Sequence, residues 1–143
     1  MQYHHFSQYI AGIYRRSKND FNHQIEALDV HATQSDLLMF IYEHPGRQQV
    51  QIAQEMSVDP SLLARDLTVL AKKGWVTRTP ATTDRRAKII ALTVAGEALA
   101  QELTETMAKW WQSLFNELAD FDVDDFDTKL TDIYNVLLKR DRP

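Results

Sequence analysis

The sequence predicts a mostly α-helical fold with one small β-hairpin. Three observations predict it. Apolar residues recur every three or four positions along most of the chain, as a buried helical face requires. Residues that start and stop helices bracket those stretches. Between residues 75 and 92 the pattern changes to two short strand-like runs around a polar, basic tip.

The first predicted helix covers about residues 6–25, with Phe6, Ile10, Ile13, Tyr14 and Phe21 at helical spacing. A second begins near Thr33, where Thr33-Gln34-Ser35-Asp36 supplies a cap and a polar first turn. Leu37, Leu38, Phe40 and Ile41 form its buried face, and His44-Pro45-Gly46 stops it. The third is short, residues 50–56, with Ile52, Ala53 and Met56 inward. The fourth covers residues 60–73. Asp59 caps its orphan N–H groups and Pro60 suits its first position. Lys72 and Lys73 sit at its negative end, and Gly74 follows where the chain must turn. Leu63, Leu67 and Leu70 are its core stripe.

Trp75-Val76-Thr77-Arg78 and Lys88-Ile89-Ile90-Ala91-Leu92 then read as paired strands around the tip Thr82-Thr83-Asp84-Arg85-Arg86. Thr93 caps a long helix that reaches about residue 118, carrying Leu99, Leu103, Met107, Trp110, Leu114 and Leu118, with Trp111 and Phe115 widening the stripe. Residues 120–127 are an acidic break. A last helix carries Phe126, Leu130, Ile133, Tyr134 and Leu137. The order of elements is a winged helix-turn-helix flanked by N- and C-terminal dimerisation helices. We assign residues 1–32 to the N-terminal dimerisation helix, 33–92 to the winged helix-turn-helix DNA-binding domain and 93–143 to the C-terminal dimerisation helices. A helix of about 26 residues spans roughly 39 Å, more than a small core needs. A partner copy is the simplest cover for its aromatic stripe and for Tyr3, Phe6 and Tyr9, which predicts a homodimer.

Composition narrows the function. The apolar fraction of 44% supports a real core. No run has transmembrane length and no signal-peptide pattern occurs, so the expectation is a soluble cytoplasmic protein with no membrane partner. Cysteine is absent, which excludes disulfides and thiolate metal sites. The net charge is −4, but residues 44–92 carry +4 and the remainder −8. A basic middle between acidic ends suggests one surface that faces phosphate.

The residues expected on DNA follow from helix geometry. Ser61 and Arg65 lie at i and i+4, so they share a face. Arg65 is the candidate for bidentate guanine readout. Leu62 either touches a thymine methyl or packs inward. Asp66 either accepts from a cytosine amino group or holds an arginine side chain. Lys72 and Lys73 are expected to touch phosphate or solvate the helix end rather than read sequence. At the wing, Arg85, Arg86 and Lys88 are expected on DNA, with Asp84 bracing the tip by pairing with Arg86 or its neighbours.

These segments resemble the MarR family of bacterial transcriptional regulators. The likeness rests on Ile52-Ala53-Gln54-Glu55-Met56-Ser57-Val58, on Asp59 through Val76, and on Asp84-Arg85-Arg86-Ala87-Lys88-Ile89-Ile90-Ala91-Leu92-Thr93, which matches the family's wing pattern. Thr93-Val94-Ala95-Gly96-Glu97 is similar to its entry into the long dimerisation helix. The departures are Leu62 and Leu63 after Ser61, and Asp66 where an apolar residue is usual. The resemblance implies a homodimer on a palindromic operator, double-stranded DNA as partner, Arg86 in or near a minor groove, and repression as the default outcome. It also implies a small anionic or phenolic effector between the DNA-reading lobe and the dimerisation helices, for which Tyr9, Ile13, Arg16 and Trp110 are the candidate lining residues.

Other chemistry finds no support. His4, His5, His23, His31 and His44 match no metal-ligand spacing, and the aspartates of residues 120–127 lack the glycine and glutamate of a calcium loop. No phosphate-cradling glycine loop or serine-nucleophile context occurs, so the expectation is no enzyme, no metal and no cofactor. The competing function class is a winged-helix protein–protein module that does not bind DNA.

Overall fold

A computed structural model describes residues 2–140. Residues 1 and 141–143, which the assigned terminal segments include, lie outside the described residues. Six α-helices and one hairpin follow in the order α1 (His5–Gln24), α2 (Ala32–Glu43), α3 (Gln49–Met56), α4 (Pro60–Lys72), β1 (Val76–Pro80), β2 (Lys88–Leu92), α5 (Val94–Asn116) and α6 (Val123–Arg140), with a 3₁₀ turn at Glu26–Leu28. This is the predicted class; the predicted boundaries shift by at most two residues, except that α6 starts at Val123, inside the stretch expected as an acidic break.

Each boundary has a local cause. The Asp59 carboxylate accepts from the Leu62 N–H at 3.0 Å and starts α4. Gly74 at φ +80° lets the chain leave it, and the Trp75 N–H donates back to the Leu70 carbonyl. Thr93 caps α5 by accepting from the Gly96 N–H at 3.0 Å. Its hydroxyl donates to the Gly74 carbonyl at 2.6 Å, which ties the start of α5 to the end of α4. The second helix differs from expectation. Its cap is His31, whose N–H donates to Gln34 Oε1, and Thr33 lies inside the first turn.

The two strands pair antiparallel, from Val76 opposite Leu92 to Pro80 opposite Lys88. A further bridge joins Gln48 to Ile89, and the Ile90 N–H donates to the Arg47 carbonyl at 3.1 Å. That extra pairing anchors the wing to the start of α3, and nothing in the periodicity of residues 47–48 announces it.

The core lies inside the winged segment. Leu37, Leu38 and Ile41 of α2, Ile52 of α3, Leu63, Leu67 and Leu70 of α4, and Ile90 of β2 are all buried. The second half of α1 (Phe21) with Ile25, and the first half of α5 (Ala100, Leu103), close the same core. The outer halves of the terminal helices stay bare. Phe6, Tyr9, Ile10 and Ile13 of α1 and Leu130, Ile133 and Leu137 of α6 are exposed. An aromatic joint links α5 to α6, with the Phe115 and Phe121 rings stacked at 5.4 Å. Among the described residues, no helix is long and apolar enough to cross a membrane.

Candidate nucleic-acid interface

The geometry of α4 divides its side chains cleanly. At 3.6 residues per turn, Ser61, Arg65, Thr68 and Lys72 fall within an arc of about 60°. All four are exposed, while Leu63, Leu67 and Leu70 face the core on the opposite side. The first turn is held by Asp59, so the exposed N-terminal face is fixed in direction. Leu62 flanks that face and is only partly exposed, at 37%.

Arg78 joins this face from β1. Its Nη2 donates to the Thr68 hydroxyl at 3.0 Å, and that hydroxyl donates to the Ala64 carbonyl. Counting bases along the chain registered Arg78 as charge, but not as a partner of α4. Only the register of the hairpin against the helix shows that.

The wing presents Arg85 and Arg86, both exposed, with Lys88 half-buried at its base. The tip is closed by the Ala81 N–H on the Ala87 carbonyl at 2.8 Å. Asp84 braces it by accepting from the Arg86 backbone N–H at 2.9 Å. The guanidinium of Arg86 takes no part in that bond, and no ion pair of Asp84 occurs among the described residues.

The ion pairs sort the basic residues of the segment. Arg47 is committed to Glu55 at 3.0 Å. Lys73 is turned from the α4 face: its Nζ donates to the Asp29 carbonyl at 2.5 Å, lies 3.6 Å from the Asp29 carboxylate and sits over the Trp75 ring. Arg65, Lys72, Arg78, Arg85, Arg86 and Lys88 enter no ion pair among the described residues. Asp66 holds no arginine among the described residues. It points into a small pocket beside Tyr14 and Leu62 rather than along the cationic face. A groove of about 290 Å³ runs between the start of α3, the start of α4 and the wing, where Arg86 and Lys88 meet Gln48 and Pro60.

The expected effector residues are only partly assembled. Ile13, Arg16 and Trp110 line one groove of about 470 Å³ between α1 and α5. Trp110 Nε1 donates there to the Asp20 carboxylate at 2.8 Å. Tyr9 is not in that groove; its ring packs edge-on against His5. The groove lies within the terminal helices, not between them and the winged segment. No cluster of three or more metal-ligating side chains occurs among the described residues.

Comparison with known proteins agrees with this geometry. The model of the MarR family matches residues 28–87. A MarR transcriptional regulator from Methanosarcina mazei superposes with a TM-score of 0.83 at 24% identity, covering 94% of this chain and 96% of that one. MepR of S. aureus, solved as a complex with DNA, gives 0.78 at 23% identity, covering 92% and 97%. A mutant MarR from E. coli complexed with operator DNA gives 0.74 at 26% identity, covering 89% and 91%. The family match spans the helix-turn-helix and most of the wing, and the structural match extends through both sets of terminal helices: the chain shares the fold of MarR-family regulators, and its winged segment matches that family's model.

Proposed function

We propose that this chain is a sequence-specific DNA-binding transcriptional regulator that acts as a homodimer, with repression as its default output. The observation that carries the reading is the single cationic face of Arg65, Lys72 and Arg78 beside an exposed wing bearing Arg85 and Arg86. An α-helix fits the major groove, and its N-terminal side chains reach base edges. Ser61 and Arg65 are then the readers, Leu62 lies against a thymine methyl, and Lys72 contacts phosphate. Arg86 enters a minor groove, where negative potential is concentrated. Arg85 and Lys88 sit near the backbone, while Asp84 keeps the tip in shape. Lys73 contributes to the field of this surface more than to contact, because Asp29 holds it.

The dimer reading is supported by the bare apolar stripes of α1 and α6. Contiguous exposed stripes of that size mark association surfaces. A twofold axis would place two copies of α4 in successive major grooves about 34 Å apart on a palindrome. The DNA complexes of S. aureus MepR and E. coli MarR support the same use of the shared fold. In the α1–α5 groove Arg16 is the group that would take a small anionic or phenolic effector, against the charges of Asp20 and Glu117 in the same lining.

The test is fluorescence anisotropy of the full chain on the region upstream of its own gene, with a scrambled duplex as control. The reading expects saturable, salt-sensitive binding that prefers the upstream sequence. Equal affinity for both duplexes, or none for either, would overturn it.

A further inference from the structure

We infer that a separate pocket behind the first turn of α4 binds a small organic ammonium ion. The pocket lies where α1, α2 and α4 meet and has a volume of about 110 Å³. That is close to four water volumes at about 30 Å³ each. Leu37, Met56 and Leu62 give it an apolar wall. Tyr14, Thr33, Asp36 and Asp66 give it a polar one.

The polar wall is one-sided. Tyr14 donates its hydroxyl proton to Asp36 Oδ2 at 3.0 Å, so the phenol oxygen offers only lone pairs to anything else. Asp36 is already neutralised on its far side. Lys18, with a side chain only 8% exposed, reaches Asp36 Oδ1 at 2.6 Å and packs over the Phe21 ring. Asp66 has no such partner: it makes no ion pair among the described residues. Tyr14 and the carboxylates therefore face the space as acceptors, Asp66 carries a full negative charge, and the Thr33 hydroxyl can donate or accept. Burial, the Asp36 charge and the hydrogen bond to Asp36 raise the Tyr14 pKa in that order, so the phenol keeps its proton and this arrangement persists at neutral pH.

An anion entering here would meet repulsion from Asp66 and find only the Thr33 hydroxyl as a side-chain donor. A primary ammonium on a short apolar body would give Asp66 a charge-assisted hydrogen bond and cover the leucine and methionine surface. The inference stands on the pocket's own geometry and does not need the chain to bind DNA.

Three probes of nearly equal shape separate the possibilities: benzylamine, benzyl alcohol and benzoate. Each is titrated into the full chain without DNA, by calorimetry and by methyl NMR of Met56 and Leu62. The expected result is saturable binding of benzylamine that shifts both methyl groups, with at least tenfold weaker binding of benzyl alcohol and none of benzoate. Asp66→Asn and Asp66→Ser, checked for an unchanged unfolding midpoint, should each weaken benzylamine at least tenfold. Benzoate or benzyl alcohol binding there as tightly as the amine would overturn the inference. So would the lack of any saturable shift with benzylamine, or an affinity unchanged in both variants.

Discussion

The Arg78 guanidinium donates to the Thr68 hydroxyl at 3.0 Å, which pins a strand cation over the outward face of α4. Arginine loses less freedom on contact when its fork is already oriented. Arg78→Ala should therefore weaken binding to the upstream duplex by about tenfold and reduce the slope of log affinity against log salt by about one. Thr68→Val keeps the charge and frees the fork, so it should weaken binding less and leave the slope unchanged. Anisotropy across a salt series reads both.

Asp84 separates shape from charge at the wing. Its carboxylate accepts from the Arg86 N–H at 2.9 Å. Asp84→Ala makes the surface more positive, which alone would favour DNA. We expect the opposite outcome, a several-fold loss of affinity, because an unheld tip costs roughly 1 kcal/mol of ordering. Tighter binding by Asp84→Ala would show that the wing acts as charge alone.

Gly96 packs the first turn of α5 against the backbone that leads into β1. A Cβ there would collide with the backbone carbonyl of Trp75, which also accepts from the Thr93 N–H at 3.0 Å. Gly96→Ala should destabilise the fold by about 3 kcal/mol. Urea unfolding measures this, and a loss under about 1 kcal/mol would mean that the backbone relaxes there freely.

Tyr14 predicts an alkaline effect. Its pKa is raised above the ordinary phenol value, first by burial and then by the Asp36 charge and hydrogen bond. An unfolded phenol ionises near pH 10, at about the reference value. The stabilisation from Tyr14 is therefore complete below that pH and is lost as pH rises through the higher folded value. Tyr14→Phe should lose less stability than the wild type over that window, as followed by thermal unfolding. Parallel losses would place the phenol outside the Asp36 bond in solution.

Local signals made much of this legible in the sequence. Asp59-Pro60 and Lys72-Lys73-Gly74 located α4, and the Leu63, Leu67, Leu70 stripe oriented it, because caps and periodicity act over one or two turns. Thr93 was readable as a cap for the same reason. What escaped depends on contacts between elements distant in sequence. The Gln48–Ile89 bridge, the engagement of Lys73 by Asp29 across 44 residues, and the seating of Arg78 on Thr68 all belong to that class. Asp66 was expected to hold an arginine or read a base. Its place on α4, between the outward arc and the core stripe, turns it toward Tyr14 instead. Ile13, Arg16 and Trp110, expected in a cleft beside the winged segment, share a groove between α1 and α5 instead, and Tyr9 lies farther along α1 and misses it.

The account centres on Arg65, at the middle of the exposed face, which enters no ion pair among the described residues. The most direct measurement compares wild type and Arg65→Ala on the upstream duplex and on single base-pair variants of the protected site. Loss of a bidentate guanine contact should cost about 1–3 kcal/mol and remove discrimination at one base pair in each half-site. Unchanged affinity and unchanged discrimination in Arg65→Ala would contradict the account.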